Sequence, residues 1–528
     1  LNACYPFSIA LDAQNVGMVQ VIAPLVAATP DALVELSRQA KAEGADLVEL
    51  RLDLCVEQGA NADACVACIP HLALPTVFTL RHASEGGRWE GNDDARLALY
   101  TDADRQGAAY LDLELAHHRA GWRPSRAKLI LSFHDFRGMG GDLQAVVDRQ
   151  RAAGADVAKV AVTPHDAADL AVIERLVRRG GGPLCALAMG EHGLPSRLLA
   201  GAWGAAFTFA RLDGSGGSAP GQPTVHDLVG LYRVKQQGPQ TRIFGVIGNP
   251  VGHSLSPLIH NTALAHHGIN AVYVPFLVGD AVAFWRACGD WIDGLSITIP
   301  HKHALLQLVD RREPLAERIG AMNTICRDGR NQTVGANTDA TAAAACLESL
   351  MGSVRDRRIT ILGAGGVSRG IAFALAERGA SLVIANRGRE RAEELAKEVG
   401  AKAVEFDKAI GIPYDALVNG TAVGMDDPSS SPWPANAHRA NSVVFDTVYT
   451  PLETKLIKEA QTAGAKTICG LSMFIGQAIG QYQRWFGVEA PDGLMHRIAL
   501  ERLEGRAAAI TSDRRGTAGL ETSLGGGG

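Results

Sequence analysis

Long apolar runs are missing from this 528-residue chain. No stretch reaches the ~18 residues that a spanning helix requires, which excludes a helical membrane protein. A surplus of one charge is missing too. Lys and Arg number 51 against 56 Asp and Glu, a net charge of −5, which leaves no electrostatic footprint for nucleic acid or an anionic membrane. Cysteine is scarce: nine residues at uneven spacing exclude a disulfide framework and suggest reduced thiols. Cys65 and Cys68 form a CxxC pair, but no second pair stands at zinc-site spacing, so they read as structural. No signal pattern opens the chain, whose first residue is Leu; the expectation is a sequence that starts inside a longer precursor.

What is present is enough apolar residue, 47%, to fill packed cores, over a length suited to several domains. Eight short apolar or alternating runs lie between residues 19 and 212: VQVIAPLV, DLVELRLDL, TVFTLR, YLDLEL, KLILSFHDF, VAKVAVTP, PLCALAMG and AAFTFARL. Helix-start signals fall between them, at Pro30-Asp31, Gly141-Asp142 and His165-Asp166. Eight alternations of strand and helix fit a (β/α)8 barrel; a doubly wound open sheet is the alternative. The count and the polar residues at the strand ends favour the barrel.

A Gly/Ser/Pro patch from Gly214 and the linker QQGPQ from Gln236 separate this region from a second α/β pattern, IFGVIGNP, VYVPF and GLSITIP. Near Arg357 a third unit begins, RRITILGAGGVSRGIAFALAERGASLVIANR, with plain βαβ character. The fold class expected is therefore α/β: a barrel over 18–235, a linker over 236–241, and a two-domain unit with a Rossmann dinucleotide-binding domain. That unit divides into 242–341, 342–468 and returning helices over 469–503, followed by a disordered tail over 504–528.

Lys159 sits inside an apolar strand, on one face with Val157 and Ala161. If that face points into a barrel, burial disfavours the ammonium, and the free amine can attack a ketone to form a Schiff base. A snorkelling edge-strand Lys is the other reading. His134 ends the preceding strand. Glu49 and Arg51 alternate onto one face of the second strand, Arg81 and Glu85 follow the third, Arg197 follows the seventh, and Ser218 and Gln222 follow the eighth. This set suits an anionic, hydroxylated keto substrate: Arg for carboxylate, Lys for carbonyl, His for proton transfer.

ELRLD, TLRHASEGG, SFHDF, AKVAVTP, MGEHGLPSR and SAPGQ, in this order, resemble type I 3-dehydroquinate dehydratase over residues ~18–232. The resemblance implies Lys159 as the imine-forming residue and His134 as general acid/base with Glu85 beside it. It implies Glu49, Arg51, Arg81, Met189, Arg197, Ser218 and Gln222 as substrate contacts.

GAGGVSRG, between a strand and a helix, reads as a dinucleotide turn: Gly363 for the bend, Gly365 for approach of the pyrophosphate, Ser368 as the third small residue. The next strand ends in Asn386-Arg387, with Arg391 a turn later, where an acidic residue would bind a ribose diol; guanidinium groups suit a 2′-phosphate, hence NADPH. Ser254, Ser256, Thr298, Lys302, Asn323, Asn337 and Asp339 are polar residues at loop, strand and helix junctions. His301 and His303 flank Lys302 without a third ligand, so no metal is expected.

NPVGHSLSP, GLSITIPHK, GAMNT, GANTD, VNGTAVGM and CGLSMFIGQA resemble shikimate dehydrogenase over ~242–500. The resemblance implies a Lys302/Asp339 proton-donor dyad and a substrate pocket of Ser254, Ser256, Thr298, Asn323, Tyr449 and Gln477. Cofactor contacts are implied for Gly363, Ala364, Gly365, Gly366, Asn386, Arg387, Arg391, Thr421 and Gly470. Ser296 in place of the bacterial Asn looks like the plant two-function enzymes, while Gly388 replaces a usual Thr in the NRTxxR box. Dehydratase followed by dehydrogenase implies 3-dehydroquinate, 3-dehydroshikimate and shikimate as successive substrates and product, with no nucleic-acid or membrane partner, in the plastid or else the cytoplasm. A quinate dehydrogenase and a non-catalytic pathway sensor are the alternatives. Retention of Lys159, His134, Lys302 and Asp339 opposes the sensor.

Overall fold

The computed structural model describes residues 18–214 and 221–505. They form two compact units: the first runs to Ser254 and takes in Gly268–Asp293, and the second comprises Leu255–His267 and the chain from Gly294.

The first unit contains eight parallel strands, β1 (Gln20–Leu25), β2 (Leu47–Arg51), β3 (Thr76–Thr79), β4 (Tyr110–Glu114), β5 (Lys128–Asp135), β6 (Val157–Val162), β7 (Leu184–Ala188) and β8 (Phe207–Phe209). Neighbours in sequence pair from β1 to β7, β8 returns to β1, and Ala206 N–H to Leu184 O at 2.8 Å joins the remaining gap. The expected barrel is present. Its helices start where the local chemistry says. Thr29 caps Pro30–Glu43, which Gly44 ends in the left-handed conformation at φ 99, and Asp142 caps Leu143–Ala152.

The pleat sorts the interior into layers. Ile22, Leu47, Val77, Ile130, Val157, Cys185 and Phe207 form an apolar plug. Two residues further along β2 to β6 stand Glu49, Thr79, Asp112, Ser132 and Lys159, all buried. The linker is no free spacer: Gln237 Nε2 donates to Leu198 O and Tyr232 O, each at 2.9 Å; just before it Lys235 pairs with Asp46 at 2.6 Å. The same unit adds the parallel pair β9 (Arg242–Gly248) and β10 (Ala271–Leu277).

In the second unit β11 (Gly294–Ile297), β12 (Arg311–Arg312), β13 (Thr324–Arg327) and β14 (Thr333–Ala336) lie in the order β11-β13-β14-β12. Helix Thr338–Met351 leads to a parallel sheet of β15 (Arg358–Leu362), β16 (Ser381–Asn386), β17 (Lys402–Glu405), β18 (Ala416–Asn419), β19 (Val443–Asp446) and β20 (Lys466–Ile468). The order β17-β16-β15-β18-β19-β20 reverses between β15 and β18, the switch point at which Rossmann sheets bind dinucleotides. Helix Gly470–Phe486 then lays Gln481 and Trp485 on β13, through Gln481 to Thr324 at 3.1 Å and Trp485 to Ile325 O at 3.0 Å. A last helix spans 492–505, so Glu504 and Gly505, expected in the tail, are helical; the rest of the tail lies outside the described residues. Among the described residues no helix is long and apolar enough to cross a membrane.

Candidate active sites

Lys159 is 5% exposed in the middle of β6. Its Nζ donates to Asp112 Oδ2 at 2.6 Å and lies 4.3 Å from the centre of the Phe209 ring. This modifies the sequence expectation. The strand face that carries Lys159 does point into the barrel, and it meets a carboxylate there as well as apolar neighbours. Asp112 Oδ1 accepts from Arg81 at 2.9 Å and from the Ser132 hydroxyl at 2.7 Å. Burial opposes the Asp112 charge, but Arg81 and Lys159 outweigh it and hold the carboxyl far below its usual range. Arg81 also donates to Glu114 at 3.0 Å, and Glu114 pairs in turn with the buried Arg96. Expected as a substrate contact, Arg81 is thus already engaged by two carboxylates.

His134 is the last residue but one of β5 and lines the same pocket as Lys159. Its ring Nδ1 and its backbone N–H both lie 2.9 Å from Glu85 Oε2. Burial, Arg81 and Lys159 push the imidazole well below its ordinary pKa, so the ring is neutral at pH 7 and can accept a proton. Burial and the charge of Glu114 push Glu85 up to about 7. A carboxyl so raised contributes stability that is fully present below its unfolded value and is lost as pH rises to about 7. The loss is about 1.4 kcal/mol per pH unit across that window. In Glu85→Gln this slope disappears, so between pH 5 and 8 the unfolding midpoint of the variant will fall less than that of the parent, as urea titration followed by barrel fluorescence will register.

The remaining barrel residues converge on the same pocket, which Glu49, Arg51, Met189, Arg197 and Gln222 line together with Arg81, Glu85, His134 and Lys159. Glu49 accepts from Thr79 at 2.9 Å, and Arg51 is held in a fork by Asp53 at 3.0 and 2.9 Å. Arg197 differs from the other arginines. It is 3% exposed, touches Phe209 O at 3.4 Å, and has no acidic partner among the described residues. Burial lowers its pKa to about 10. Ser218 lies outside the described residues.

In the second unit Lys302 Nζ stands 2.6 Å from Asp339 Oδ2, with both side chains partly exposed. Asn337 makes the pairing possible: its side chain caps Thr338–Met351 by accepting from Ala340 N–H at 3.0 Å, which puts Asp339 in the first turn. Lys302 is anchored through its carbonyl, which accepts from Met322 N–H at 2.9 Å. Asn323 donates to Thr338 Oγ1 at 2.9 Å and lies 3.4 Å from Gln477 Oε1. Ser296 donates to Gln481 at 2.9 Å, which also ties it to β13. Thr298 follows β11, Ser256 opens helix Ser256–His266, and Tyr449 stacks on Phe474 with ring centres 5.2 Å apart. Ser254 belongs to the first unit, where its N–H reaches Val251 O at 3.0 Å.

The turn after β15 fits a dinucleotide. Gly363 has φ 98, and a Cβ there would stand 2.9 Å from Thr421 Cγ2. At Gly365 and Gly366 a Cβ would meet nothing within 4 Å, which leaves room over the N-terminus of helix Gly366–Glu377. Ala364 lies between them. Ser368 donates to Gly420 O at 3.2 Å, the close helix–strand approach that a small third residue permits. Thr421 is oriented by its hydroxyl on Asn419 at 2.7 Å, and Gly470 lies so near the backbone of Thr447 that a Cβ would stand 2.3 Å from its carbonyl oxygen. Asn386 Nδ2 donates to Gly388 O at 2.9 Å. Arg387 and Arg391 are exposed, whereas Arg389 between them is paired with Glu393 at 2.6 Å.

Family models match along the chain in the order the geometry suggests: type I 3-dehydroquinase over 21–239, shikimate dehydrogenase substrate-binding domain over 246–325, shikimate/quinate 5-dehydrogenase over 345–416 and shikimate 5′-dehydrogenase C-terminal domain over 470–500. The chloroplastic bifunctional 3-dehydroquinate dehydratase/shikimate dehydrogenase of Arabidopsis thaliana is 38% identical over 507 residues, covering 90% of this chain and 84% of the relative. The chain belongs to the bifunctional 3-dehydroquinate dehydratase/shikimate dehydrogenase family. The NADP(+) shikimate dehydrogenase of Methanosarcina acetivorans is 40% identical over 280 residues, 50% of this chain and 99% of that protein. A solved Thermus thermophilus shikimate 5-dehydrogenase with NADP(H) and shikimate is 35% identical, spans 49% of this chain and 99% of its own, and has a TM-score of 0.45.

Membership in this family does not by itself explain what the sequence reading passed over. Asp112 and Glu114 alternate inside YLDLE, the same signal that singled out Glu49 and Arg51, and Ser132 precedes His134 by one period. Phe136, 48% exposed at the pocket rim, is the last residue of SFHDF and was also passed over.

Proposed function

We propose that the barrel, residues 18–235, dehydrates 3-dehydroquinate to 3-dehydroshikimate, and that the region beyond the 236–241 linker reduces it to shikimate with NADPH. Within that region 242–341 and the helices of 469–503 serve the substrate and 342–468 the cofactor. The observation that carries the dehydratase reading is a buried Lys159 sharing one pocket with His134 and with Arg197, a buried guanidinium with no acidic partner among the described residues. Arg197 would take the substrate carboxylate in a charge-assisted pair. Glu49, Arg51, Arg81, Met189 and Gln222 would orient the ring. The Lys159 nitrogen condenses with the ketone, and the iminium withdraws electrons from the adjacent C–H. His134 takes that proton and returns it to the departing hydroxyl, while Glu85 orients the ring through Nδ1.

For the reduction, NADPH when bound supplies a hydride to the carbonyl carbon. Lys302 protonates the oxygen on which charge develops, and Asp339 aims the ammonium. Ser254, Ser256, Thr298, Asn323, Tyr449 and Gln477 would hold the substrate hydroxyls. The pyrophosphate would rest on Gly363, Ala364, Gly365 and Gly366, with Thr421 and Gly470 flanking the nicotinamide and Asn386, Arg387 and Arg391 at the 2′-phosphate. Loss of one charge-assisted contact is worth a factor of ~10–100, so Arg387→Ala will lower kcat/KM for NADPH by that amount and leave NADH unchanged. Initial rates with the two cofactors measure it.

The decisive experiment is one reaction holding 3-dehydroquinate, NADPH and the protein. Shikimate appearing in step with NADPH oxidation is expected; accumulation of 3-dehydroshikimate with no oxidation would overturn the second half. A plastid location is the reading that the chloroplastic relative supports.

A further inference from the structure

Asp112 is a fully buried carboxylate with three fixed partners, one of which is the reacting nitrogen. Oδ2 faces Lys159 Nζ at 2.6 Å, while Oδ1 is gripped by Arg81 at 2.9 Å and Ser132 at 2.7 Å. Held on two sides, the carboxylate determines where Nζ stands. The other charged or titratable groups facing this interior are Glu49 and Arg51 on β2, Glu85 after β3, Tyr100, Glu114 on β4, His134 on β5, Cys185 on β7 and Arg197 after it.

Charge balance supplies the chemical argument. The Lys159 ammonium releases a proton, and the freed lone pair forms the N–C bond. The carbonyl π pair passes to oxygen, which takes that proton and a second one from nitrogen and leaves as water. In sum, R–NH3+ and C=O give R–NH+=C and H2O, so the nitrogen starts and finishes with one positive charge. The anion that suits the ammonium therefore suits the iminium without reorganisation.

We propose that Asp112 is the counter-ion of the Lys159 iminium, keeping the imine nitrogen protonated so that it draws electrons from the adjacent C–H; this rests on the imine reading above. A merely structural carboxylate would support the barrel without altering the protonation of the adduct.

The test is borohydride trapping with 3-dehydroquinate across a pH series, with mass spectrometry of the adduct. Shikimate oxidation by the same polypeptide normalises the amount of protein, and the urea midpoint followed by barrel fluorescence serves as the control for folding. Asp112→Asn is expected to trap at least about tenfold less adduct at neutral pH, recover trapping at acid pH, and lose about 10²-fold in dehydratase kcat. Trapping equal to the parent over the same pH range would overturn the proposal. No adduct in the parent protein would instead refute the imine reading. Should Asp112→Asn fail to fold, Ser132→Ala loosens the same carboxylate: the pH midpoint of trapping is expected to move in the acid direction, and an unmoved midpoint overturns the proposal.

Discussion

Lys159→Met will abolish dehydratase turnover, by a factor on the order of 10⁴ or more, the scale on which loss of a covalent nucleophile leaves binding and electrostatics alone. Methionine preserves much of the lysine volume against the Phe209 ring, which lies 4.3 Å from Nζ. The barrel is expected to fold, because Asp112 keeps Arg81 at 2.9 Å and Ser132 at 2.7 Å when the lysine is gone. Reduction of 3-dehydroshikimate by the same preparation provides the internal standard and should be unchanged. Borohydride should leave no adduct on the variant. Full turnover by Lys159→Met would mean that the amine is a mere countercharge for Asp112, and the proposed chemistry would have to be abandoned.

The second large effect is expected at the dyad 2.6 Å across, Lys302 and Asp339. Lys302→Met removes the proton donor and should lower kcat for 3-dehydroshikimate reduction by roughly 10²–10⁴-fold, the usual contribution of a positioned acid. Asp339→Asn keeps the shape of the helix start, whose cap is Asn337, yet removes the charge that aims the ammonium. Because the two side chains act as one device, their losses should not add. The double variant should be no slower than the slower single variant, and KM for NADPH should stay near the parent value in all three. Multiplicative losses would show that the two residues work separately. Stopped-flow measurement of NADPH absorbance resolves the chemical step from product release.

Much of this architecture was legible because its signals are local. Period-two alternation put Glu49 and Arg51 on one face of their strand and Lys159 on one face with Val157 and Ala161, His134 was placed by its position at a strand end, and the observed pocket contains all four. The dinucleotide turn was equally readable, since Gly363 at φ 98 and the open space at Gly365 are requirements of a single βα junction. The chain outside these signals was harder to divide. Gln237 binds the supposed linker back onto the barrel through a contact with a residue ~40 positions away, which no composition shift reveals.

The residue sequence by itself determined eight apolar or alternating strand patterns, the polar residues at their ends and the glycine turn, because backbone pleat and φ/ψ sterics act within a few residues. Only the tertiary structure decided which charges meet. Asp112 belongs to β4 and Lys159 to β6, and Arg81 and Ser132 reach the same carboxylate from elsewhere in the barrel. The register of each strand on the next sets those distances, and barrel closure sets the register. The same holds for Glu85, whose elevation to about 7 arises from burial and the charge of Glu114, a residue 29 positions away at the end of β4. Alternation can say that a charge points inward; closure of the sheet chooses its partner and thereby its protonation state.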